Sequence, residues 1–417
     1  MRDRINRLFL ISICALLNVS CMAQYEEYPI LFKCSKKMDN AYGVCTHINR
    51  IGPRYEFDTR EDELKMIESV GATWIRTDWD WPTMMVNGSD SLRYNHFDAI
   101  VSSAKLHQPR FLGIITLQSK FQMNELDKWL QYVKNSSCHF KNRVNDWEVI
   151  NEADLISHWV PGIYAKEYVE LLKSGSNAIK SGNKKARVIF SGIANTDTKF
   201  VDSVFSEGVS TFFDIMTVHR YNQKTFEPEL LLDYYVQLSE KLKKYDVDKP
   251  VWLTECGTSS VEGWATEETQ ARRLPRIFLI SFAFGIDKVF WYKSRAREIN
   301  PTDYEDYFGL WHNNYIPKPA FYAYQTLTKM CPDRSVRPIL RRYGNVYFAH
   351  WKRPDGKTTY ALWTSRERIN VDLKLKGNYA CYDIYGNKVS LTRQEIEVSP
   401  SILYFVGEKK FELGIVD

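Results

Sequence analysis

Two glutamates stand at the ends of two apolar runs. Asn151-Glu152 closes Trp147-Glu148-Val149-Ile150, and Glu255 closes Val251-Trp252-Leu253-Thr254. Breaking a glycosidic bond through an oxocarbenium-like state needs a proton donor for the leaving oxygen and a carboxylate at the anomeric carbon. Two Glu side chains supply both. In the retaining arrangement the carboxyl groups stand about 5–5.5 Å apart, one forming a covalent glycosyl ester while the other alternates between acid and base. On this reading Glu152 is the acid/base and Glu255 the nucleophile.

An Asn-Glu pair arises by chance about once in a chain of this length, so the dipeptide is weak alone. Its weight comes from supporting residues at other apolar-run ends. Asn151 can donate its amide to the sugar hydroxyl beside the anomeric centre, a bond that strengthens as charge develops. Arg76, closing Trp74-Ile75-Arg76, can hold Glu255 ionised, or can be a structural ion pair. Within Thr217-Val218-His219-Arg220-Tyr221, Tyr221 can hydrogen-bond the nucleophile, and His219 can order the acid/base or the sugar, unless it is a satisfied core residue. His47 is equally open. Trp291, in Val289-Phe290-Trp291-Tyr292, can form an apolar floor beneath a sugar, with Tyr292 the better candidate for packing.

Elements that could position these groups alternate along the chain. β-rich runs fall at 41–47, 74–78, 110–116, 145–151, 187–192, 215–219, 251–255 and 288–291, with helical periodicity at 60–70, 97–106, 123–133, 164–180, 230–245 and 267–284. Eight strands with intervening helices predict a (β/α)8 TIM barrel, whose reacting groups sit at strand C-terminal ends. Both glutamates obey that rule, on the fourth and seventh strands. After a last helix over 319–329 the texture changes to short strands and turn pairs such as Asp355-Gly356 and Gly386-Asn387, which predicts a small C-terminal β-sandwich. Packing and rigidity, or carbohydrate binding, are its two candidate roles. The expected division is a signal peptide over 1–23, the barrel over 24–334 and the sandwich over 335–417.

The 417 residues suit a barrel plus a module, and an aromatic share of 14%, with 12 Trp and 25 Tyr, offers core filler and platforms for sugar rings. Net charge is +5, falling to +3 without a leader carrying Arg2, Arg4, Arg7 and Asp3, which is no nucleic-acid signature. That leader has a basic start, an apolar core from Leu8 to Leu17 and the small-x-small site Cys21-Met22-Ala23. Cleavage after Ala23 and export to the periplasm, cell surface or medium are expected. A lipid tether at Cys21 is the alternative, weakened by Asn18 where a lipobox carries an aliphatic residue. The apolar stretch is too short to span a bilayer, so no integral span is expected. Six cysteines remain without a CxxC or Cys/His zinc pattern, which leaves disulfides open and disfavours a structural zinc.

Taken together, Trp147 to Glu152, His219-Arg220-Tyr221, Trp252 to Gly257, Phe290-Trp291-Tyr292, Phe308-Gly309-Leu310 and Pro317 to Ala320 resemble the clan A glycoside hydrolases, in particular the family 39 group and the related family 5 enzymes. The resemblance covers roughly residues 40–330. It implies a retaining mechanism on an oligo- or polysaccharide without metal or organic cofactor, and it maps Arg76, Asn151, Tyr221 and Trp291 onto supporting positions. Cys256 reads as a buried small residue.

Aromatic loops at Asp78 to Pro82, Ser157-His158-Trp159 and Glu262-Gly263-Trp264 should rim the mouth or cap the barrel. Arg50 and Arg54 after the first strand, with Lys293, Arg295 and Arg297 after the eighth, could select an acidic sugar unless neighbouring acids neutralise them. The competing function classes are a catalytically silent carbohydrate-binding barrel, against which the intact glutamate pair argues, and an esterase, for which no GxSxG elbow is present.

Overall fold

In the computed structural model the eight β-rich runs form a ring. The structure describes residues 25–50, 60–86, 89–158, 160–196, 199–221, 227–391, 395–408 and 411–416. The anticipated signal peptide, Cys21, Arg54 and Trp159 therefore lie outside the described residues. Strands β1 (Tyr42–Cys45), β2 (Trp74–Trp79), β3 (Arg110–Ile115), β4 (Asp146–Val149), β5 (Arg187–Ile189), β6 (Met216–Tyr221), β7 (Val251–Gly257) and β8 (Lys288–Trp291) pair in parallel, in the order β5-β4-β3-β2-β1-β8-β7-β6. A parallel bridge from Ile189 to Ile215 and the bond from Phe190 N to Ile215 O at 2.9 Å join the two ends. The fold is a (β/α)8 barrel followed by a β-sandwich.

The outer helices are α1 (Arg60–Ser69), α2 (Asn95–His107), α3 (Leu126–His139), α4 (Ala165–Gly182), α5 (Lys199–Ser206), α6 (Leu231–Lys244), α7 (Glu267–Phe284) and α8 (Pro319–Met330). Helix α5 is absent from the sequence reading, although Val201, Val204 and Phe205 bury one face at helical spacing. It is only 8 residues long, too short for the periodicity to stand out.

Side-chain alternation divides each barrel strand between two cores. Cys45, Trp74, Leu112, Ile189, Ile215, Trp252 and Phe290 fill the interior. Their neighbours Val44, Ile75, Val188, Leu253, Val289 and Trp291 join the larger cluster shared with the helices. The barrel floor is cationic: the Lys288 ammonium lies 5.2 Å from the rings of both Trp74 and Trp252, and the Arg187 guanidinium 5.1 Å from Trp252. Indole faces attract such cations, and Asp146 pairs with Arg187 at 2.6 Å.

The C-terminal module contains β9 (Ile339–Tyr343), β10 (Val346–Lys352), β11 (Thr358–Thr364), β12 (Ile369–Lys376), β13 (Tyr379–Tyr382), β14 (Lys388–Val389), β15 (Glu395–Val398), β16 (Leu403–Gly407) and β17 (Glu412–Val416). Strands β9, β10, β11, β16, β13 and β14 make one antiparallel sheet, and β15, β12 and β17 a second. Period two again decides the packing. Phe348, Leu362 and Phe405 meet the smaller sheet's Val371, Leu373 and Val398, while Tyr347, Trp351, Trp363 and Tyr404 join the barrel's cluster. The indole of Trp363 donates to Glu229 at 2.8 Å, and Arg276 of α7 reaches Ser365 O at 3.1 Å. Residues Glu26–Glu27, grouped with the barrel in the sequence reading, pair with Arg342 and Arg341 of β9. All six cysteines from Cys34 to Cys381 are free, and among the described residues no helix is long and apolar enough to cross a membrane.

Burial pushes Lys288 down to about 8, against 10.5 for the free side chain. Because the folded value is the lower one, the penalty is complete below pH 8 and is relieved as pH rises toward 10.5. Lys288→Met is therefore expected to be at least as stable as the wild type at pH 7 and to lose that advantage by about pH 10. Urea unfolding at both values measures the difference, and a pH-independent gap would contradict the account.

Candidate active site

Strand phase decides which side chains reach the mouth. On β2, Trp74 is interior and Ile75 faces the helices, so Arg76 and Asp78 also point inward and line the cavity. On β8, Phe290 is interior, Trp291 is outward and fully buried, and Tyr292 lines the cavity. The structure thus does not bring Trp291 to the site as the sequence reading expects; Tyr292 stands there in its place.

The two glutamates reach the mouth through breaks in regularity. Since Trp252 is interior and Leu253 outward, strict alternation would turn Glu255 outward too. Pairing with β6 shifts instead, Leu253 lying opposite Val218 but Glu255 opposite His219. This bulge moves the phase by one residue. Glu255 then faces the cavity, and Cys256 turns into the outer core, where its thiol donates to Phe290 O at 3.3 Å. After β4 the device is conformational. Ile150 (φ 67°) and Glu152 (φ 42°) adopt left-handed backbone around Asn151, and Asn151 and Glu152, adjacent in sequence, both line the cavity. Such conformations cost of order 1–3 kcal/mol each.

Arg76 organises what lies beneath. Its guanidinium, 2% exposed, grips both oxygens of Glu148 at 2.8 and 2.9 Å, donates to Asn151 Oδ1 at 2.7 Å and reaches Glu255 Oε1 at 2.5 Å. Burial opposes its charge, but Glu148 and Glu255 outweigh that and hold Arg76 firmly protonated. Because Asn151 spends its carbonyl on Arg76, its amide nitrogen is left to donate into the cavity. Glu148, which also accepts from Gly192 N at 2.9 Å, is a member of the site that sequence reasoning missed. The available signal was an acid inside an apolar run, a residue that is almost never buried unpaired.

The other oxygen of Glu255 accepts from the Tyr221 hydroxyl. His219, fully buried, sits between the carboxylates, with Nδ1 2.9 Å from Glu152 Oε1 and 3.6 Å from Glu255 Oε2. Burial alone would lower its pKa, but the charge of Glu255 and the hydrogen bond to Glu152 win, so the net shift is upward. Nearest atoms of Glu152, His219 and Glu255 all lie within 4.8 Å of one another. Both carboxylates therefore face one small volume, as a double-displacement pair, with carboxyl groups about 5–5.5 Å apart, requires. This trio is also the one set among the described residues spaced to ligate a metal, although Arg76 and Tyr221 already occupy Glu255 as donors.

The cavity above holds about 510 Å³. His47 lines it, kept neutral by burial and then by Arg50, with its ring 6.0 Å from Tyr292. The anticipated positive rim is largely absent from the described lining. Arg50 is there, facing Asp78 at 3.7 Å, but Lys293 donates to Glu305 O at 2.8 Å, Arg297 pairs with Asp306 at 2.6 Å, and Arg295 donates to Tyr315 at 2.8 Å. Carboxylates of Asp78, Glu152, Glu255 and Glu305 outnumber the guanidiniums of Arg50 and Arg76 in that lining. Of the anticipated aromatic rim, Trp79 and Trp81 are core residues, while Trp264 lines the cavity.

No family model matches the sequence. No curated protein matches it either. The fold, however, is that of solved glycoside hydrolases, as the sequence resemblance implies. A family 39 glycoside hydrolase from the gut symbiont Bacteroides cellulosilyticus is 21% identical, with a TM-score of 0.71 over 89% of this chain and 82% of that one. A GH39 β-xylosidase from Caulobacter crescentus is 14% identical, with a TM-score of 0.64 over 91% and 98%. A GH5_18 protein from Streptomyces cattleya, solved with GlcNAc, is 14% identical, with a TM-score of 0.56 over 70% and 80%.

Gly192 tests the His219 placement. A Cβ there would lie 2.0 Å from His219 Nε2. Gly192→Ala is expected to destabilise the protein by about 1–3 kcal/mol through overpacking and to move the His219 titration down toward the free value as its bond to Glu152 breaks. Denaturant unfolding and histidine NMR titration measure the two effects; a tolerated methyl with an unmoved His219 would contradict the geometry.

Proposed function

We propose that this chain is an exported retaining glycoside hydrolase that cleaves a β-linked glycan by double displacement. The observation that carries the reading is the opposed pair Glu152 and Glu255, close enough to act on one anomeric carbon and held in different environments.

Glu255, with one oxygen paired to Arg76 and the other accepting from Tyr221, is held and aimed, which suits a nucleophile. Its oxygen attacks the anomeric carbon and forms an ester as the glycosidic C–O bond breaks. Glu152 gives its proton to the departing oxygen. Water then attacks the same carbon, Glu152 takes a proton from it, and the ester C–O bond breaks to return Glu255 as carboxylate. His219 fits a positioning role, fixing the Glu152 carboxyl through Nδ1. Asn151 can present its amide to the hydroxyl beside the reacting carbon, where the bond tightens as positive charge develops. Tyr292 and His47 supply the wall of the sugar pocket.

The β-xylosidase activity named for one protein of similar fold supports the β-linkage. The basic start, apolar core and small-residue site at the N-terminus support export, with a tether at Cys21 as the variant form.

A product-release screen against β-linked neutral and acidic glycans and aryl glycosides tests the function. The wild type is expected to release one sugar with its anomeric configuration retained, read by NMR at early times, and Glu255→Ala to release none. In kcat/KM, which reports the first displacement, Glu152→Ala is expected to lose about 10²–10⁴-fold on sugar leaving groups and much less on dinitrophenolate, which needs no proton. Inverted product, or full activity in Glu255→Ala, would refute the mechanism. Polysaccharide binding without release by the wild type would favour the silent binding barrel.

A further inference from the structure

Residues 191–195, between β5 and α5, contribute only Ala194 to the cavity lining, yet each of them is bonded to a group beside the two carboxylates. Ser191 Oγ accepts from Ala153 N at 2.8 Å, and Gly192 N donates to Glu148 Oε1 at 2.9 Å. Ile193 O accepts from His219 N at 2.8 Å. The next two amides, Ala194 N and Asn195 N, donate to Oδ1 and Oδ2 of Asp154 at 3.2 and 2.9 Å. The segment is itself anchored from behind, since Ser191 N donates to the Tyr168 hydroxyl of α4 at 3.0 Å and Phe190 N to Ile215 O at 2.9 Å.

The left-handed backbone at Glu152 (φ 42°) needs such a frame, because a strained conformation persists only where its surroundings over-determine it. On the N-terminal side the frame is Arg76, which holds Asn151. On the C-terminal side it is the 191–195 segment, through Ala153 N and the Asp154 carboxylate, with Leu155 N closing the turn onto Glu152 O at 2.8 Å. Asp154 is not in the cavity lining, and both its oxygens are spent on backbone amides. It therefore has no direct part in the chemistry and acts on its neighbour. His219 meets the same segment through Ile193 O, so the 2.9 Å contact between His219 Nδ1 and Glu152 joins two residues pinned to one piece of backbone. A proton donor misplaced by about 1 Å can lose on the order of 10²-fold in rate, so this frame bears on catalysis and not on folding alone.

We propose that Asp154 is the positioning residue of the acid/base: by clamping the turn after β4 to the backbone of 194–195, it aims the Glu152 carboxyl at the departing oxygen. This rests on the glycosidase reading and names a residue outside the cavity on which one half of its chemistry, proton transfer to the leaving group, depends.

Leaving groups that do and do not need a proton separate aiming from general damage. The probes are the 2,4-dinitrophenyl and phenyl β-glycosides of xylose, glucose, galactose, mannose and glucuronic acid, compared by kcat/KM, which reports the first displacement. In Asp154→Ala the ratio of dinitrophenyl to phenyl kcat/KM is expected to rise about tenfold or more, with the dinitrophenyl value itself within about threefold of wild type. A merely structural loss would lower both values alike and leave the ratio unmoved. Asp154→Asn, which keeps one acceptor oxygen in the same shape, is expected to show a smaller rise, and Glu152→Ala the largest. Asp154 is only half-buried, so the alanine variant is expected to fold; circular dichroism and urea unfolding check this, and Asp154→Asn carries the same comparison if it does not. An unchanged ratio in a folded variant overturns the proposal, as does an equal rise in Asp154→Asn and Asp154→Ala, which would assign the effect to the charge and not to the clamp. A wild type that turns over none of the dinitrophenyl glycosides overturns the glycosidase reading beneath it.

Discussion

The site hangs on one buried guanidinium. Arg76 carries a single positive charge among Glu148 and Glu255, and its fork of donors also reaches Asn151. Taking these groups out of water costs several kcal/mol per ion, and only dense, well-aimed hydrogen bonding offsets it. The bidentate grip on Glu148 fixes the plane of the fork, and the remaining donors then fall on Glu255 and Asn151. A lysine could not do this, since an ammonium has no planar fork. Glu148 is thus the anchor of the arrangement although it does not line the cavity.

Around this anchor the strands depart from regular geometry where side chains must face the mouth. The bulge in β7 re-aims Glu255, and the left-handed backbone at Ile150 and Glu152 lets neighbours in sequence share one cavity. Gly192 leaves room for the His219 ring and lends its amide to Glu148. The barrel below tolerates these irregularities because its interior layers, Trp74, Trp252, Phe290 and Ile189 above the cationic floor, are packed without them.

The strands and both strand-end glutamates were legible because each is a local pattern: an apolar run of strand length with an acid at its end. Strand phase was not legible. A parallel barrel strand is buried on both faces, so its sequence reads as a continuous apolar run from which inward and outward residues cannot be told apart. That is why Trp291 looked like the floor of the pocket when Tyr292 is in the lining, and why Trp79 and Trp81 looked like rim residues when they are core. Glu148 was hidden for a related reason: a buried acid declares a partner but not which one, and its partner Arg76 lies 72 residues away. The positive rim failed because charge counted along a loop says nothing of the acids and carbonyls that turn toward it in space.

The functional account stands on Glu255 being the atom donor that bonds to sugar. Its most direct test is to incubate the protein with 2,4-dinitrophenyl 2-deoxy-2-fluoro-β-glycosides of xylose, glucose, galactose and mannose, whose fluorine slows the second displacement, and to map any adduct by peptide mass spectrometry. The account predicts one glycosyl group per chain, on the peptide containing Glu255. A stable adduct on any other residue, or steady turnover of such a substrate by Glu255→Ala, would contradict it.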